Sequence, residues 1–115
     1  MFDFEKLDVY QEIRTLNIRV LQMLLSQDNM DPYLKEQFKK ASLSSLLDLA
    51  EGTGRMNNAD KKRFYISARS SVFECVAILQ ILLDLSILDE SSYEKFYKGY
   101  DKISRMLLGM IRSIE

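Results

Sequence analysis

Apolar and polar residues recur with helical spacing in four segments of the chain, and short polar breaks separate these segments. The most sustained register lies in the third segment, where successive positions follow alternating steps of four and three residues: Phe64, Ala68, Ser71, Cys75, Ile78, Leu82 and Leu85. Such spacing places these side chains on one face of a helix. The pattern therefore predicts helices at about residues 4–26, 32–52, 59–88 and 90–114.

The residues at the breaks indicate where the helices begin and end. We expect Gly52 and Gly54 to end the second helix, because glycine readily adopts the left-handed conformation found at helix C-termini. Asp31 is expected to cap the second helix, Asn57 or Asn58 the third and Asp89 the fourth, because short polar side chains accept hydrogen bonds from the first turn of a helix.

The lengths of the predicted helices and of their connections indicate the fold class. Helices of similar length joined by short breaks favour antiparallel neighbours. The chain of 115 residues has the size of one domain, and its apolar content of 47% suffices for a core. We therefore predict an all-α fold, an up-and-down antiparallel four-helix bundle that spans residues 1–115 as a single domain.

Two of the predicted helices carry a second apolar stripe in addition to the one that a bundle core requires. Single exposed apolar side chains are ordinary, whereas contiguous exposed patches mark contact sites. We expect a subunit interface here, because symmetric homo-oligomers are common. The residues predicted for this interface are Leu43, Leu47, Ile66, Phe73 and Ala77.

Composition excludes several kinds of chemistry. The chain has no histidine, which is the commonest general base and metal ligand. Its single cysteine, Cys75, cannot form an intrachain disulfide or a cysteine-based zinc site, and its place in the core register predicts a buried thiol. We expect no metal and no cofactor. A reducing, cytoplasmic location fits this cysteine content best.

The most apolar window of the chain covers residues 72–88, and Glu74, Gln80 and Asp84 interrupt it. Charged side chains are costly at the centre of a bilayer. The window therefore predicts a buried helix rather than a membrane span, and we expect no membrane partner.

Several carboxylates lie in the window from Ser44 to Glu74 and raise two alternatives. Asp48 and Glu51 share a helix face, and Glu74 could approach them from the next helix, as paired carboxylates do in acid–base or metal chemistry. Alternatively, these acids form a structural polar network with Arg55, since a guanidinium satisfies carboxylates at helix contacts. We favour the network of Asp48, Glu51, Arg55 and Glu74, because no histidine completes a usual di-metal set. No catalytic residue is predicted.

The densest basic cluster follows the glycines of the same window and consists of Arg55, Lys61, Lys62, Arg63 and Arg69. With aromatic residues interleaved, it is a candidate nucleic-acid patch. The alternative is a solvated helix face, which most charge runs form. The net charge of −1 excludes a global basic field of the kind that drives non-specific nucleic-acid binding.

This window resembles the bacterial four-helix-bundle family of 23S rRNA-intervening-sequence proteins. The matching positions of its first half are Ser44, Ala50, Glu51, Gly52, Gly54 and Arg55, and those of its second half are Phe64, Ala68, Ser71 and Glu74. Three positions depart from the family pattern: Asp48 replaces an asparagine, Leu49 an isoleucine and Ser70 a glycine. The added negative charge of Asp48 weakens any nucleic-acid contact carried over to that position.

The resemblance implies a four-helix bundle that assembles as a ring-like homo-oligomer, a pentamer, with no enzymatic activity and no cofactor. It also implies a place among relatives of the accessory protein of diversity-generating retroelements, which assists a reverse transcriptase. The expected partners are therefore a second copy of the chain, RNA or DNA, or a reverse transcriptase.

Three functions remain open from the sequence, and the least favoured is a carboxylate-based enzyme that uses Asp48, Glu51 and Glu74 in an open pocket. The other two are as follows. The first is a non-catalytic oligomeric accessory protein or scaffold that binds nucleic acid or a nucleic-acid-processing enzyme. The second is a protein-only interaction module.

Overall fold

Four α-helices make up most of the chain. The computed structural model describes residues 1–114 and contains, within them, no strand. The helices are α1 (Asp8–Leu25), α2 (Pro32–Thr53), α3 (Asn58–Asp84) and α4 (Glu90–Ser113), and a short 3₁₀ helix at Asp3–Lys6 precedes them. The molecule is elongated, with extents of 44 × 22 × 20 Å.

Two helix boundaries differ from those expected. α1 begins at Asp8 rather than near Phe4, because Phe4 belongs to the separate 3₁₀ helix. α3 ends at Asp84 rather than near Leu88. Ser86 has a φ of 59°, the only positive value outside glycine in residues 1–114, and the chain turns there so that the Ile87 amide donates to the Leu82 carbonyl over 2.9 Å.

The prediction of left-handed glycines at the end of α2 is wrong. None of the glycines, all within the described residues, has a positive φ, and Gly54 lies at −86° and −5°. Gly52 is buried inside the last turn of α2. A Cβ atom built on Gly52 would lie 2.7 Å from Cε1 of Tyr65 and 2.9 Å from Cβ of Phe64. Gly52 therefore permits close approach of α2 and α3 rather than a turn.

The helices pack in chain order, and α1 also packs against α4. Contacts between side chains show that α2 and α3 run antiparallel. The Ser67 hydroxyl donates to the Asp48 carboxylate over 2.8 Å, and the Ser42 hydroxyl lies 3.8 Å from the Cys75 sulfur. Residues later in α3 thus contact residues earlier in α2, as expected for two helices joined by a short connection.

The core combines one buried face from each helix. On α3 the buried residues are Tyr65, Ala68, Ser71, Val72, Cys75, Leu79 and Leu82. Phe64 and Leu85 were expected in this core, but Phe64 is only partly buried and Leu85 is 57% exposed. The buried positions 65, 68, 72, 75, 79 and 82 themselves follow alternating steps of three and four residues. The buried face is therefore the predicted one turned by a fraction of a helical turn, and it keeps Ala68, Cys75 and Leu82.

Asparagine and aspartate side chains cap three of the helices. The Asp31 carboxylate accepts from the Leu34 amide over 3.0 Å at the start of α2. Asn57, rather than Asn58, caps α3 and accepts from the Asp60 amide over 2.8 Å. Asp89 caps α4, as expected, and its hydrogen bonds from Ser92 lower the pKa of the Asp89 carboxyl.

By length and composition alone, α3 could cross a membrane. Its most apolar window has a mean hydropathy of 1.6, and 33% of that window is buried inside the molecule. A core helix of a soluble protein passes the same test, so one such helix is weak evidence for a span. The low buried share also shows that α3 carries apolar side chains that the core does not cover.

Candidate functional site

Two of the predicted carboxylates have partners on the surface between α2 and α3. Arg55 Nη2 lies 2.7 Å from Glu51 Oε2, and both side chains are largely exposed. Asp48 accepts a hydrogen bond from Ser67 and not from an arginine. The predicted polar network is therefore two separate local contacts. Each contact links neighbouring turns or the two helices. Glu51 and Arg55 also line an open groove of about 390 Å³ against Phe2 and Phe4, whereas Asp48 does not reach it.

Glu74 does not join these contacts. It is exposed and forms no hydrogen bond or ion pair with any residue in 1–114. Since Asp48 lies opposite Ser67, Glu74 stands seven residues farther along α3, roughly 10 Å away at about 1.5 Å per residue. The three carboxylates thus share no site, and residues 1–114 contain no cluster of three acidic, cysteine or histidine side chains that could hold a metal.

The basic cluster at the start of α3 surrounds one aromatic ring. The guanidinium carbons of Arg55 and Arg63 lie 4.5 and 5.2 Å from the centroid of the Phe64 ring. Arg63 also contacts Asp60 at 3.3 Å, and Lys61 donates to the Thr53 carbonyl over 2.9 Å. Most of these cations therefore have a partner within the molecule, either a carboxylate or a backbone carbonyl at the end of α2.

The remaining residues of the predicted nucleic-acid patch are divided between two sides of α3. Arg69 faces α4, where its Nε donates to the Ser104 carbonyl over 3.0 Å and its guanidinium covers the Phe73 ring at 4.7 Å. Lys62 forms no hydrogen bond or ion pair with the part of the chain that the structure describes. Arg69 thus belongs to the α3–α4 side, whereas Arg55 belongs to the α2–α3 side.

The residues predicted for a subunit interface all lie on the outside. Leu43 is 44% exposed, Leu47 60%, Ile66 47% and Phe73 55%, and Ala77 is also exposed. Ile81 continues the stripe on α3 at 46%. The core leaves these apolar side chains uncovered because it is filled by the opposite faces of α2 and α3.

A shallow groove adjoins the outer face of α3. It lies between α3 and α4, has a volume of about 340 Å³, and is lined by Phe73, Ala77, Gln80, Tyr97 and Asp101, among others. Phe73 belongs both to the groove and to the exposed stripe, so the apolar surface continues from the back of α3 towards α4.

A buried polar layer crosses the middle of the molecule with one side chain from each helix. Asn17 donates to the Ser42 carbonyl over 2.6 Å, and the Ser42 hydroxyl faces the Cys75 thiol. The Tyr100 hydroxyl is buried beside them without a hydrogen bond of ordinary geometry. Burial raises the pKa of Cys75 to about 11, which makes the thiol a poor nucleophile.

One charged feature was not predicted from the sequence. The outer face of α4 carries a line of exposed basic residues: Lys95, Lys98, Lys102, Arg105 and Arg112. Their spacing by three, four, three and seven residues is helical and could have revealed them. They are dispersed among aromatic and apolar residues in the sequence and lie side by side only on one face of the folded helix.

The model of the 23S rRNA-intervening sequence protein family matches residues 5–109. The chain belongs to this family. Among solved structures, a protein of unknown function from the S23 ribosomal protein family of Bacteroides thetaiotaomicron is similar, with a TM-score of 0.83 and 16% sequence identity. The match covers 90% of this chain and 97% of the other. At this identity the likeness shows a shared helical fold. No curated protein matches the sequence.

The positions that carry the resemblance to 23S rRNA-intervening sequence proteins have structural roles in this member. Gly52 allows contact with Tyr65, Glu51 pairs with Arg55, and Ala68 is fully buried at the centre of α3. Asp48, which departs from the family pattern, bridges α2 to α3 through Ser67. In this window, the close approach at Gly52 and the hydrogen bond between Ser67 and Asp48 hold α2 and α3 together.

Proposed function

We propose that the chain is a non-catalytic accessory or scaffold protein that self-associates through the outer faces of α2 and α3 and holds a nucleic acid or a nucleic-acid-processing enzyme. The observation that carries the proposal is the apolar surface left on these two helices. The family resemblance supports a ring of five copies and a partner such as RNA, DNA or a reverse transcriptase.

The energetics favour covering this surface. Four large apolar side chains, Leu43, Leu47, Ile66 and Phe73, are between 44% and 60% exposed. Full burial of such a side chain is worth about 1.5–3 kcal/mol, so half-exposed ones can each gain a substantial part of that in a contact. Exposed apolar patches of this kind mark protein contact sites. A second copy that offers the same faces is the simplest partner.

Substitution of Phe73 by glutamate tests the self-association. In Phe73→Glu, a charge would be buried at the centre of the contact, so we expect the assembled species to dissociate to monomers. Met56→Glu is a matched control, because Met56 is 96% exposed in the turn between α2 and α3 and away from both faces. Sedimentation velocity over a dilution series measures the outcome. A wild-type chain that sediments as a monomer at all concentrations would refute the proposal.

The protein-only alternative is favoured by one observation. Arg55 and Arg63 of the predicted nucleic-acid patch are each paired with an acid, which leaves little free cationic charge there. Affinity capture from lysate with and without nuclease separates the alternatives: partners that survive nuclease support a protein-only module, whereas partners that are lost support a nucleic-acid link.

A further inference from the structure

The outer face of α4 carries five exposed basic residues at helical spacing, beside the exposed acids Glu94 and Asp101. We define the α4 stripe as Lys95, Lys98, Lys102, Arg105 and Arg112, all exposed. Gly109 lies between Arg105 and Arg112 at the same helical spacing. No atom lies within 4 Å of a Cβ atom built on Gly109, so the surface there is open. The opposite face of α4 contributes Tyr100, Ile103 and Leu107 to the core, so packing forces the basic side chains into solvent.

The α4 stripe has more cations without an ion-pair partner than the basic cluster at the start of α3. Lys102 pairs with Glu12 of α1 at 2.7 Å, and Arg105 pairs with Asp101. Lys95, Lys98 and Arg112 form no ion pair with any residue in 1–114. In the α3 cluster, only Lys62 has neither an acid nor a carbonyl partner in that range. Among the four α-helices, α4 carries the most cations without an acid or carbonyl partner in that range: three, against two each on α1 and α2 and one on α3.

We propose that the α4 stripe binds the phosphate backbone of a nucleic-acid duplex. This inference rests on the accessory role proposed above and names its partner and surface. The stripe is about 25 Å long at about 1.5 Å per residue. Backbone binding requires only cations facing phosphates, and neutralised phosphates release their counterions. Lys95, Lys98 and Arg112 on the outer face of α4 are exposed cations of this kind.

Other polyanions fit the stripe less well. Single strands are usually held by aromatic side chains on which bases stack, and no aromatic residue belongs to the stripe. Protein interfaces bury an apolar centre, whereas all five side chains of the stripe are basic. A regular duplex backbone needs neither rings nor apolar contacts.

The stripe and the proposed self-association surface use different helices. The apolar faces lie on α2 and α3, whereas the stripe lies on α4. Self-association would therefore leave each stripe free and repeat it in every copy. Repetition raises the effective affinity of contacts that are individually weak, which reconciles local binding with a net charge of −1 per chain.

The test replaces the three stripe residues that lack ion pairs. The variant is Lys95→Gln/Lys98→Gln/Arg112→Gln, and the control is Lys6→Gln/Arg14→Gln/Arg19→Gln, which removes three exposed cations from the 3₁₀ helix and α1, away from the proposed self-association faces. None of these control residues forms an ion pair with residues 1–114. The probes are a mixed-sequence duplex of about 20 base pairs as DNA and as RNA, one of its single strands, and polyglutamate, titrated by fluorescence anisotropy between about 50 and 200 mM salt.

We expect the wild-type chain and the control to bind duplex more tightly than single strand or polyglutamate at low salt. The stripe variant should bind duplex at least about tenfold more weakly at about 50 mM salt, with a log–log salt slope reduced by about 0.9 for each lost phosphate contact. Circular dichroism and sedimentation must show that all variants remain folded and equally assembled.

Three results would overturn the inference: no wild-type binding to duplex at low salt, equal loss in variant and control, or preference for polyglutamate or single strand. Each of these leaves self-association untouched. Conversely, a wild-type chain that sediments as a monomer at all concentrations but binds duplex through the stripe would refute the assembly and retain the inference, so the two failures are distinguishable.

Discussion

At the scale of single residues, the glycines of the shared window have unequal roles. Gly52 is buried where α2 meets α3, and the positions of Tyr65 and Phe64 leave no room for a side chain. Gly54, two residues later, is exposed, and a Cβ atom there would lie 3.5 Å from the Glu51 carbonyl, an ordinary contact. Steric space, rather than backbone conformation, therefore makes glycine necessary at one of these positions.

The Gly52→Ala variant is expected to unfold at lower urea concentration than the wild type. The new methyl group would overlap the Phe64 Cβ, which is fixed to the backbone and cannot rotate away. Overpacking of this kind costs about 1–3 kcal/mol. Gly54→Ala is the matched control and should be neutral or slightly stabilising, because its backbone is already right-handed helical. Equal effects at both glycines would contradict this account.

At the scale of elements, the start of α3 depends on one side chain that its neighbour cannot replace. Asn57 has an extended backbone, with φ of −110° and ψ of 156°, so its side chain can reach the Asp60 amide. Asn58 is already the first helical residue. Two adjacent and identical residues therefore contribute differently to the stability of α3.

We expect Asn57→Ala to lower the free energy of unfolding by about 1 kcal/mol, because the first-turn amides lose their side-chain acceptor. Asn58→Ala should change it by less than about 0.5 kcal/mol, since Asn58 is exposed and outside the cap. Urea denaturation at one protein concentration measures both. A larger loss at position 58 than at position 57 would show that the cap has been assigned to the wrong residue.

Element boundaries could be predicted from the sequence only where a local signal specifies them. Asp89 caps α4 as expected, since capping depends on residues three positions apart. The end of α3 was placed four residues too late, because Leu85 and Leu88 continue an apolar pattern. Leu88 lies after the turn at Ser86 and is buried, so it packs in the core although it is not part of α3.

At the scale of the whole molecule, the four helices meet at the polar layer of Asn17, Ser42, Cys75 and Tyr100. Burial raises the pKa of Cys75 to about 11 from 9.0, and it raises the pKa of Tyr100 well above 10.0. Both groups are neutral when protonated, and the folded state holds these protons more tightly than the unfolded state. Their contribution to stability is therefore complete below about pH 9 and is lost as pH rises towards 11.

The free energy of unfolding should accordingly fall between pH 9 and about 11, by about 2 kcal/mol from Cys75 alone. Tyr100→Phe should reduce this fall. It should change stability at pH 7 by less than about 1 kcal/mol, because the Tyr100 hydroxyl has no hydrogen bond of ordinary geometry. Tyr33→Phe, which removes an exposed hydroxyl, is the control. Urea titrations at several pH values measure the free energy of unfolding. If it fell equally with pH in Tyr100→Phe and in the wild type, Tyr100 would not contribute to the pH dependence.

For the candidate sites, sequence reasoning identified residues but not their neighbours. The exposed positions of Leu47, Ile66 and Phe73 followed from the surplus of apolar stripes, since a helix has only one face for the core. The separation of Glu74 from Asp48 could not be predicted from the sequence, because it depends on the register between two antiparallel helices. The α4 stripe required the burial of Tyr100 and Ile103 to define which face of that helix is outside.

The amino-acid sequence alone is enough to predict the number of helices, two of the three side-chain caps and the presence of more apolar surface than one core can bury. These features follow from periodicity and from hydrogen bonds within a few residues, which do not depend on the rest of the chain. Only the tertiary structure decided that Tyr65 rather than Phe64 is buried, that Gly52 is needed for contact, and that the acids form no common site. The reason is that the angle and register between helices distant in sequence select which side of each apolar stripe is covered.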